Sequence, residues 1–203
     1  NQGAGGGVYA EDINYLNIQT SSIEHNKAAM SGLGFGGGIL LLDVGHHNPA
    51  ILRNSIIDGN ETSPDTDGSG AGVFILDSSG VQIIDNRFQD NNTQHQRMVN
   101  GSAIYLNGSH NFWIEHNQFK YNYGHSVLCL RGSPVSSDGF VGRNEWWGNS
   151  ALYNLELKGN ITAKVENNFL GFRATSILSR SRGGASTDIT IVGDCIMGAA
   201  EVD

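Results

Sequence analysis

The chain has 203 residues, of which 28 are glycine and only 3 are proline, and its formal net charge is −8 at pH 7. This acidic balance excludes a basic nucleic-acid-binding face and disfavours binding to an anionic membrane surface. Because no apolar run reaches transmembrane length, we expect no membrane insertion by this segment. The length suits one domain, residues 1–203, and abundant glycine without a 3.6-residue apolar period predicts short strands and tight turns.

Seven short apolar runs follow one another in chain order and are typical of β-strands. The first three are led by glycine, as in GGGVYAE and GGGILLLD. The runs cover residues 5–11, 36–43, 71–77, 102–108, 125–131, 152–158 and 175–181.

A second pattern comes after each run: an aliphatic residue, an asparagine three positions later, a large apolar residue two positions further on, and often another asparagine three positions after that. The clearest copies are Ile83-Asn86-Phe88-Asn91, Ile114-Asn117-Phe119-Asn122 and Val141-Asn144-Trp146-Asn149. The anchor of the pattern recurs every 24 to 33 residues, at Ser21, Asn54, Asn86, Asn117, Asn144, Asn168 and Asp194. Such recurrence indicates a repeat architecture.

We interpret each repeat as one coil of a solenoid made of short strands and tight turns. The aliphatic and aromatic positions then face inward and stack on their copies in the next coil, at the strand spacing of about 4.8 Å. Asparagine suits the recurring turn because it tolerates a left-handed backbone and its stacked side chains can form a hydrogen-bonded ladder. Seven coils would extend roughly 34 Å.

The copies IIDNRFQDN, IEHNQFKYN and VGRNEWWGN resemble the repeats of right-handed, pectate-lyase-like parallel β-helices, over essentially the whole chain. The resemblance implies an all-β fold, a right-handed single-stranded parallel β-helix of about seven coils. It says little about function, since such proteins include lyases, hydrolases, epimerases and adhesins. Glycine-led coils combined with N-glycosylation sequons also resemble the extracellular β-helix repeats of cell-junction proteins of the bark beetle (Anakonda) type.

Two adjacent tryptophans are expected to have different environments. Trp146 occupies the position of Phe88 and Phe119, so it should lie in the core and extend an aromatic row. Trp147 comes one residue later and should point outward or into a turn, because side chains alternate in extended structure. Trp147 is then either a platform for a sugar ring or a half-exposed packing residue.

Three long insertions interrupt the early coils, at residues 27–36, 61–70 and 92–100. Because the coils stack, these loops should leave the same corner side by side and form a recognition surface for a protein or glycan at the cell surface. Tolerated surface decoration is the alternative. The candidate ligand-binding residues are Phe35, Asp65, Asp67, His95, Arg97 and Trp147.

The second insertion contains a weak candidate for a calcium site. Asp65, Asp67 and Ser69 alternate beside Gly68, but the distal bidentate glutamate of a calcium loop is missing. A turn rich in aspartate and glycine is the ordinary interpretation. The 7 histidines show no spacing typical of metal ligands. We therefore expect no cofactor other than a possible calcium ion.

The strand ends place several charged residues at similar positions in successive repeats. They are Glu11, Asp43, Asp77, Asn107, Arg131 and Lys158. Stacked carboxylates repel each other, which raises a pKa or attracts a cation. The resemblance to polysaccharide lyases implies Asp43, Asp77 and Arg131 as catalytic candidates, matched by position only. A solvated face with a salt bridge is the alternative.

Sequons and cysteines bear on the location of the protein. Sequons begin at Asn60, Asn91, Asn100, Asn107 and Asn160. They predict a secreted glycoprotein, extracellular or at the cell surface.

Cys129 and Cys195 lie two or three coils apart in the expected register, beyond disulfide reach, so both should be free thiols and Cys129 should be buried.

The ends of the solenoid carry little that could cap them. Only NQGA precedes the first strand, and the last repeat is followed by few polar residues. A stacked solenoid exposes an open strand edge and an apolar cross-section unless something covers them. We therefore expect this chain to be part of a longer polypeptide or to associate with itself end to end.

Taken together, these features predict a non-catalytic extracellular β-helix module for adhesion or recognition, with the stacked loops as its contact surface. The alternatives are a carbohydrate-active enzyme, a lyase or hydrolase of an acidic glycan, and a structural spacer without a ligand. Charged groups concentrated in one groove would favour the enzyme, whereas in the sequence the charges are scattered along the repeats.

Overall fold

The computed structural model describes residues 2–63, 68–93, 101–171, 175–180, 187–196 and 200–202. Within these ranges the chain forms strands and turns without a helix, and the strands pair in parallel. The predicted all-β solenoid of parallel strands is confirmed.

Three rows of stacked strands run along the solenoid. The first row contains β2 (Val8–Glu11), β6 (Ile39–Leu42), β9 (Val73–Leu76), β12 (Ile104–Asn107), the first part of β15 (Tyr123–Gly142), the first part of β17 (Ser150–Glu166), β19 (Thr175–Arg180) and β22 (Ala200–Val202). The second row contains β3 (Leu16–Gln19), β7 (Ala50–Arg53), β10 (Gln82–Ile84), β13 (Phe112–Glu115), the later parts of β15 and β17, and β20 (Thr187–Val192).

The third row contains β4 (Ser22–Glu24), β8 (Ile56–Asp58), β11 (Arg87–Gln89), β14 (Gln118–Lys120), β16 (Glu145–Trp147), β18 (Phe169–Leu170) and β21 (Cys195–Ile196). With seven strands in this row, the described part of the chain makes about six turns. Outside the rows, β1 (Gln2–Ala4) pairs with β5 (Leu33–Phe35), a strand of the first insertion.

The turn between the second and third rows repeats from coil to coil. Its first residue has a left-handed φ between 50° and 57°, at Thr20, Asn54, Asp85, His116, Arg143 and Asn167. The next residue forms the predicted ladder: the backbone N–H of Asn86 donates to Asn117 Oδ1 and that of Asn117 donates to Asn144 Oδ1, each at 2.9 Å. Asn117 Nδ2 also donates to the carbonyl of Ile83 at 2.8 Å. The ladder thus satisfies buried polar groups that no strand partner reaches.

A second asparagine ladder closes the third row and is formed by the asparagine that recurs three positions after the large apolar residue of the pattern. Asn60 Nδ2 donates to Asn91 Oδ1, and Asn91 Nδ2 donates to Asn122 Oδ1, at 3.1 and 3.0 Å. The ladder residues are Asn26, Asn60, Asn91, Asn122 and Asn149.

The register expected for the second repeat is wrong by one residue. Ser55, not Asn54, occupies the ladder position, and its backbone N–H donates to Asn86 Oδ1 at 2.9 Å. Asn54 instead takes the left-handed turn position, with a φ of 50°. The stretch AILRNSII allows both registers, because aliphatic residues come in adjacent pairs on either side of the turn. Only pairing with the next coil decides between them.

The predicted aromatic row is confirmed. Phe88, Phe119 and Trp146 are each 0% exposed. Their rings stack in sequence, with centroids 5.2 Å apart between Phe88 and Phe119 and 4.8 Å apart between Phe119 and Trp146. This row forms part of a continuous aliphatic core that is enclosed by all three strand rows.

A smaller apolar cluster lies on the outer face of the first row. Leu40, Phe74, Tyr105 and Cys129 follow one another across four coils and are all buried. Burial raises the pKa of Tyr105 to about 12 and raises the pKa of the Cys129 thiol. Cys129 is a free, buried cysteine, as predicted. The side chain of Cys195 lies outside the described residues.

Candidate functional site

The side chains of the catalytic candidates do not lie at equivalent positions in successive coils. Asp43 and Asp77 follow their strands in left-handed turns, with φ of 52° and 49°. Arg131 lies within a strand and pairs with Asn107 and Lys158. The expected alignment is therefore wrong by one residue. The strands β6 and β9 end at Leu42 and Leu76, which align with Asn107, so the turn begins one position earlier than the sequence pattern indicated.

The predicted loop surface is only partly within the described residues. Its insertions do lie side by side: Ala28 N–H donates to the Glu61 carbonyl at 3.1 Å, and Thr62 N–H donates to the Asn92 carbonyl at 3.3 Å. Phe35 packs on Phe74 with ring centroids 5.2 Å apart, so it helps to cover the outer apolar cluster. The remaining loop candidates, Asp65, Asp67, His95 and Arg97, lie outside the described residues.

The calcium candidate can be followed only at Ser69, whose backbone forms a bridge with Phe35. Asp65 and Asp67 lie outside the described residues. In the part of the chain that the structure describes, no three histidine, cysteine, aspartate or glutamate side chains are grouped to hold a metal ion.

Two of the predicted glycosylation sites are inconsistent with the fold. Asn60 and Asn91 are 0% exposed, and their amide groups bind neighbouring ladder residues. A glycan on either Nδ2 would break these bonds and have no path to solvent, so we no longer expect one there. Asn160 is exposed and Asn107 is half-buried, whereas Asn100 lies outside the described residues.

An open groove of about 510 Å³ lies on the outer face of the second strand row. It is lined by Asn111, Phe112, Trp113, Glu115, Asp138, Gly139, Phe140, Arg143, Lys164 and Glu166. These residues come from three successive coils, since Trp113 pairs with Phe140 and Phe140 pairs with Lys164. Apolar surface with a few convergent polar groups is typical of a ligand-binding site.

An exposed tryptophan lies on the first of the three coils that line this groove. Trp113 is 42% exposed, and its ring stacks on Phe140 with centroids 4.3 Å apart and planes inclined by 28°. Its indole Nε1 donates to Glu115 Oε2 at 2.8 Å. Arg143 Nη1 in turn donates to Glu115 Oε1 at 2.5 Å. The buried Glu115 carboxylate therefore fixes the orientation of the indole.

The remaining polar groups of the groove are also paired. Asp138 Oδ1 lies 2.6 Å from His110 Nδ1 and 44% of the Asp138 side chain is exposed. Lys164 forms a salt bridge with Glu166 and lowers the pKa of that carboxyl group. The groove thus combines an aromatic platform with hydrogen-bonding groups at its edges.

Sequence reasoning missed Trp113 because its partner Phe140 is 27 positions away in the chain. The dipeptide Phe112-Trp113 did carry a signal, since one of two adjacent residues in a strand must face outward. Phe112 is buried and Trp113 is exposed. The signal becomes specific only when the coil register brings Trp113 and Phe140 together.

Trp147 points outward, as predicted, and is 43% exposed. It stacks on Phe169 with ring centroids 4.4 Å apart. This second aromatic pair lies on the third strand row, away from the residues that line the groove. Its role as a ligand-binding residue stays a prediction.

The solenoid and its sequence pattern agree with the family comparison. Residues 1–169 match the family described as right-handed β-helix region, and the chain belongs to that family. No curated protein and no solved structure gives a significant match. The narrower resemblance to cell-junction proteins receives no support from these comparisons. Among the described residues, no helix is long and apolar enough to span a membrane.

Proposed function

We propose that this β-helix is a non-catalytic recognition module that binds a saccharide in the Trp113 groove. The observation that carries this proposal is the exposed Trp113–Phe140 stack, surrounded by ionised and hydrogen-bonding groups. A sugar ring has an apolar C–H face and a polar rim of hydroxyls. The indole offers a flat apolar surface to the former, and the groove edges offer donors and acceptors to the latter.

The rigidity of the platform supports this proposal. Trp113 is held by Phe140 below it and by the hydrogen bond from Nε1 to Glu115. Phe140 and Lys164, which line the groove beside Trp113, lie in paired strands of adjacent coils and not in long loops. A preformed surface loses less conformational entropy when a ligand binds.

Recognition fits the groove better than hydrolysis or elimination does. A general acid at neutral pH needs a raised pKa, but the salt bridge from Lys164 lowers the pKa of Glu166. Glu115 already accepts hydrogen bonds from Trp113 and Arg143. Asp43 and Asp77, which were compared with a lyase site, do not align with Arg131, because Arg131 pairs with Asn107. An extracellular setting, suggested by the exposed sequon at Asn160, remains part of the proposal.

A fluorescence titration tests the proposal, because the chain has 3 tryptophans and Trp146 is 0% exposed. In a Trp147→Phe background, Trp113 is the only exposed indole, so its emission reports on the groove. The probes are hexasaccharides of xylose, glucose and mannose, together with hexagalacturonate and a heparin-derived hexasaccharide. We expect saturable changes in emission with at least one of these probes.

Trp113→Ala is expected to weaken binding by at least about tenfold, which corresponds to about 1.4 kcal/mol. Trp147→Ala is the matched control, since it removes an indole of similar exposure that also stacks on a phenylalanine. Binding measured by calorimetry that survives Trp113→Ala but is lost in Trp147→Ala would place the site elsewhere. Cleavage of any probe into smaller saccharides would show that the protein is an enzyme and would contradict the proposal.

A further inference from the structure

We infer that the Trp113 groove selects an uncharged saccharide over an acidic one. The inference rests on the proposed function and concerns the ligand class of the same groove. It follows from the way in which the cations of the groove are already engaged by its own carboxylates.

Both cations that line the groove have a carboxylate partner. Arg143 Nη1 lies 2.5 Å from Glu115 Oε1, and the Glu115 side chain is only 12% exposed. Lys164 is paired with Glu166, whose side chain is 24% exposed. Arg143 and Lys164 keep free N–H donors, and their side chains are 54% and 53% exposed, so a sugar carboxylate or sulfate could still contact them. The attraction is reduced, however, because the positive charge of each is already offset by its neighbouring carboxylate.

The carboxylates that line the groove outnumber its cations. Three carboxylates line the groove, those of Glu115, Asp138 and Glu166, whereas the lining residues include two cations, Arg143 and Lys164. An anionic ligand would therefore meet a surface with an excess of negative charge. The formal net charge of −8 on the whole chain adds long-range repulsion of polyanions.

Uncharged sugars fit the same groups without breaking the ion pairs. Carboxylates can accept further hydrogen bonds, because each ionised group has about four lone-pair positions. Asp138 is the most accessible of them: apart from His110 it accepts only a long bond of 3.4 Å from the backbone N–H of Asn111. A sugar hydroxyl can donate to Asp138 while the C–H face of the ring rests on Trp113. A sugar carboxylate offers Asp138 an acceptor instead.

The test compares the neutral hexasaccharides with hexagalacturonate and the heparin-derived hexasaccharide by calorimetry, at about 10 mM and about 150 mM salt. We expect the best neutral probe to bind at least about tenfold more tightly than either acidic probe, with the larger difference at low salt. Asp138→Asn should narrow this difference, because it removes a negative charge and adds a donor. Asp12→Asn removes the same charge from an exposed turn outside the groove residues and should leave the difference unchanged.

The possible failures separate the two proposals. Tighter binding of an acidic probe that is lost in Trp113→Ala would overturn the choice of ligand class and leave the groove as a saccharide site. The choice of ligand class would also be overturned if Asp138→Asn and Asp12→Asn changed the affinity difference between neutral and acidic probes equally. The charge within the groove would then have no special effect on binding. Absence of binding with every probe would contradict the proposed function itself.

Discussion

Among the described residues, the last member of the asparagine ladder is an aspartate, Asp194, and replacing it by asparagine should stabilise the protein. Asp194 Oδ1 accepts hydrogen bonds from the backbone N–H and from Nδ2 of Asn168, at 2.5 and 3.2 Å. Its other oxygen, Oδ2, is buried, and none of the described residues forms a hydrogen bond with it. Every earlier asparagine of this ladder uses the corresponding Nδ2 to donate to a carbonyl of the preceding coil. Asn168, for example, donates to Val141 at 3.0 Å.

By the same register, an asparagine at position 194 would donate to the carbonyl of Val165, which pairs with Ile191. Asp194→Asn therefore replaces an unpaired buried oxygen with a hydrogen-bond donor and removes a partly buried charge. One such hydrogen bond contributes about 0.5–1.5 kcal/mol, and relief of the unsatisfied oxygen adds a similar amount. We expect the free energy of unfolding to rise by about 1–2 kcal/mol at pH 7, and the Tm by about 2–8 °C for a chain of this size.

The gain should depend on pH in a defined direction. Burial raises the pKa of Asp194 in the folded state above its unfolded value. The contribution of Asp194 to the free energy of unfolding is therefore most favourable below the unfolded pKa of about 3.9. That contribution is lost as the pH rises through the folded pKa. The variant has no such titration, so its advantage should be full at pH 7 and should shrink as the pH falls toward about 3.

Urea unfolding followed by circular dichroism at both pH values measures this difference. Asp188→Asn is the matched control, because it removes the same charge from an exposed position of the nearby strand β20. An equal gain in the control, or a gain that persists undiminished at the acidic pH, would refute the argument from the ladder.

Two further predictions concern the core. Phe119→Ala should lower the free energy of unfolding by about 3–5 kcal/mol, because it removes the middle ring of a fully buried stack. Tyr15→Ala is the control and should have little effect, because the Tyr15 side chain is 56% exposed. Similar losses of stability from both variants would contradict the coil register. Cys129 is buried and its thiol pKa is raised, so in a Cys195→Ser background an aromatic disulfide reagent should titrate no thiol in the folded chain and one after unfolding. Rapid reaction of the folded chain would show that the outer apolar cluster is open.

Much of the fold could be predicted because the same short pattern recurs along the chain. Phe88, Phe119 and Trp146 stand at equivalent positions in three copies, and they do stack in the structure. The failures came where the local sequence allows two registers. Asn54 and Ser55 are both good turn residues, and only the hydrogen bond to Asn86 shows that Ser55 belongs to the ladder.

The candidate site was harder to predict, because its residues are distant in sequence. Asp43 and Arg131 were aligned by their positions at strand ends, but Asp43 lies in the turn one residue after β6. Arg131 lies within β15 and aligns with Leu42 through β12 and β9. Asn60 and Asn91 satisfy the local rule for glycosylation, yet the second ladder buries them. A short sequence motif does not show which residues of the adjacent coil will contact it.

The sequence by itself determined the parallel solenoid, the core position of Trp146 and the outward direction of Trp147. These follow from the alternation of side chains along a strand and from repetition, which are properties of the chain read residue by residue. Only the tertiary structure decided that Trp113 lies on Phe140 and beside Glu115, Arg143 and Lys164. The physical reason is that a lateral contact between coils depends on the length and register of every turn between them, and an error of one residue turns a side chain to the opposite face.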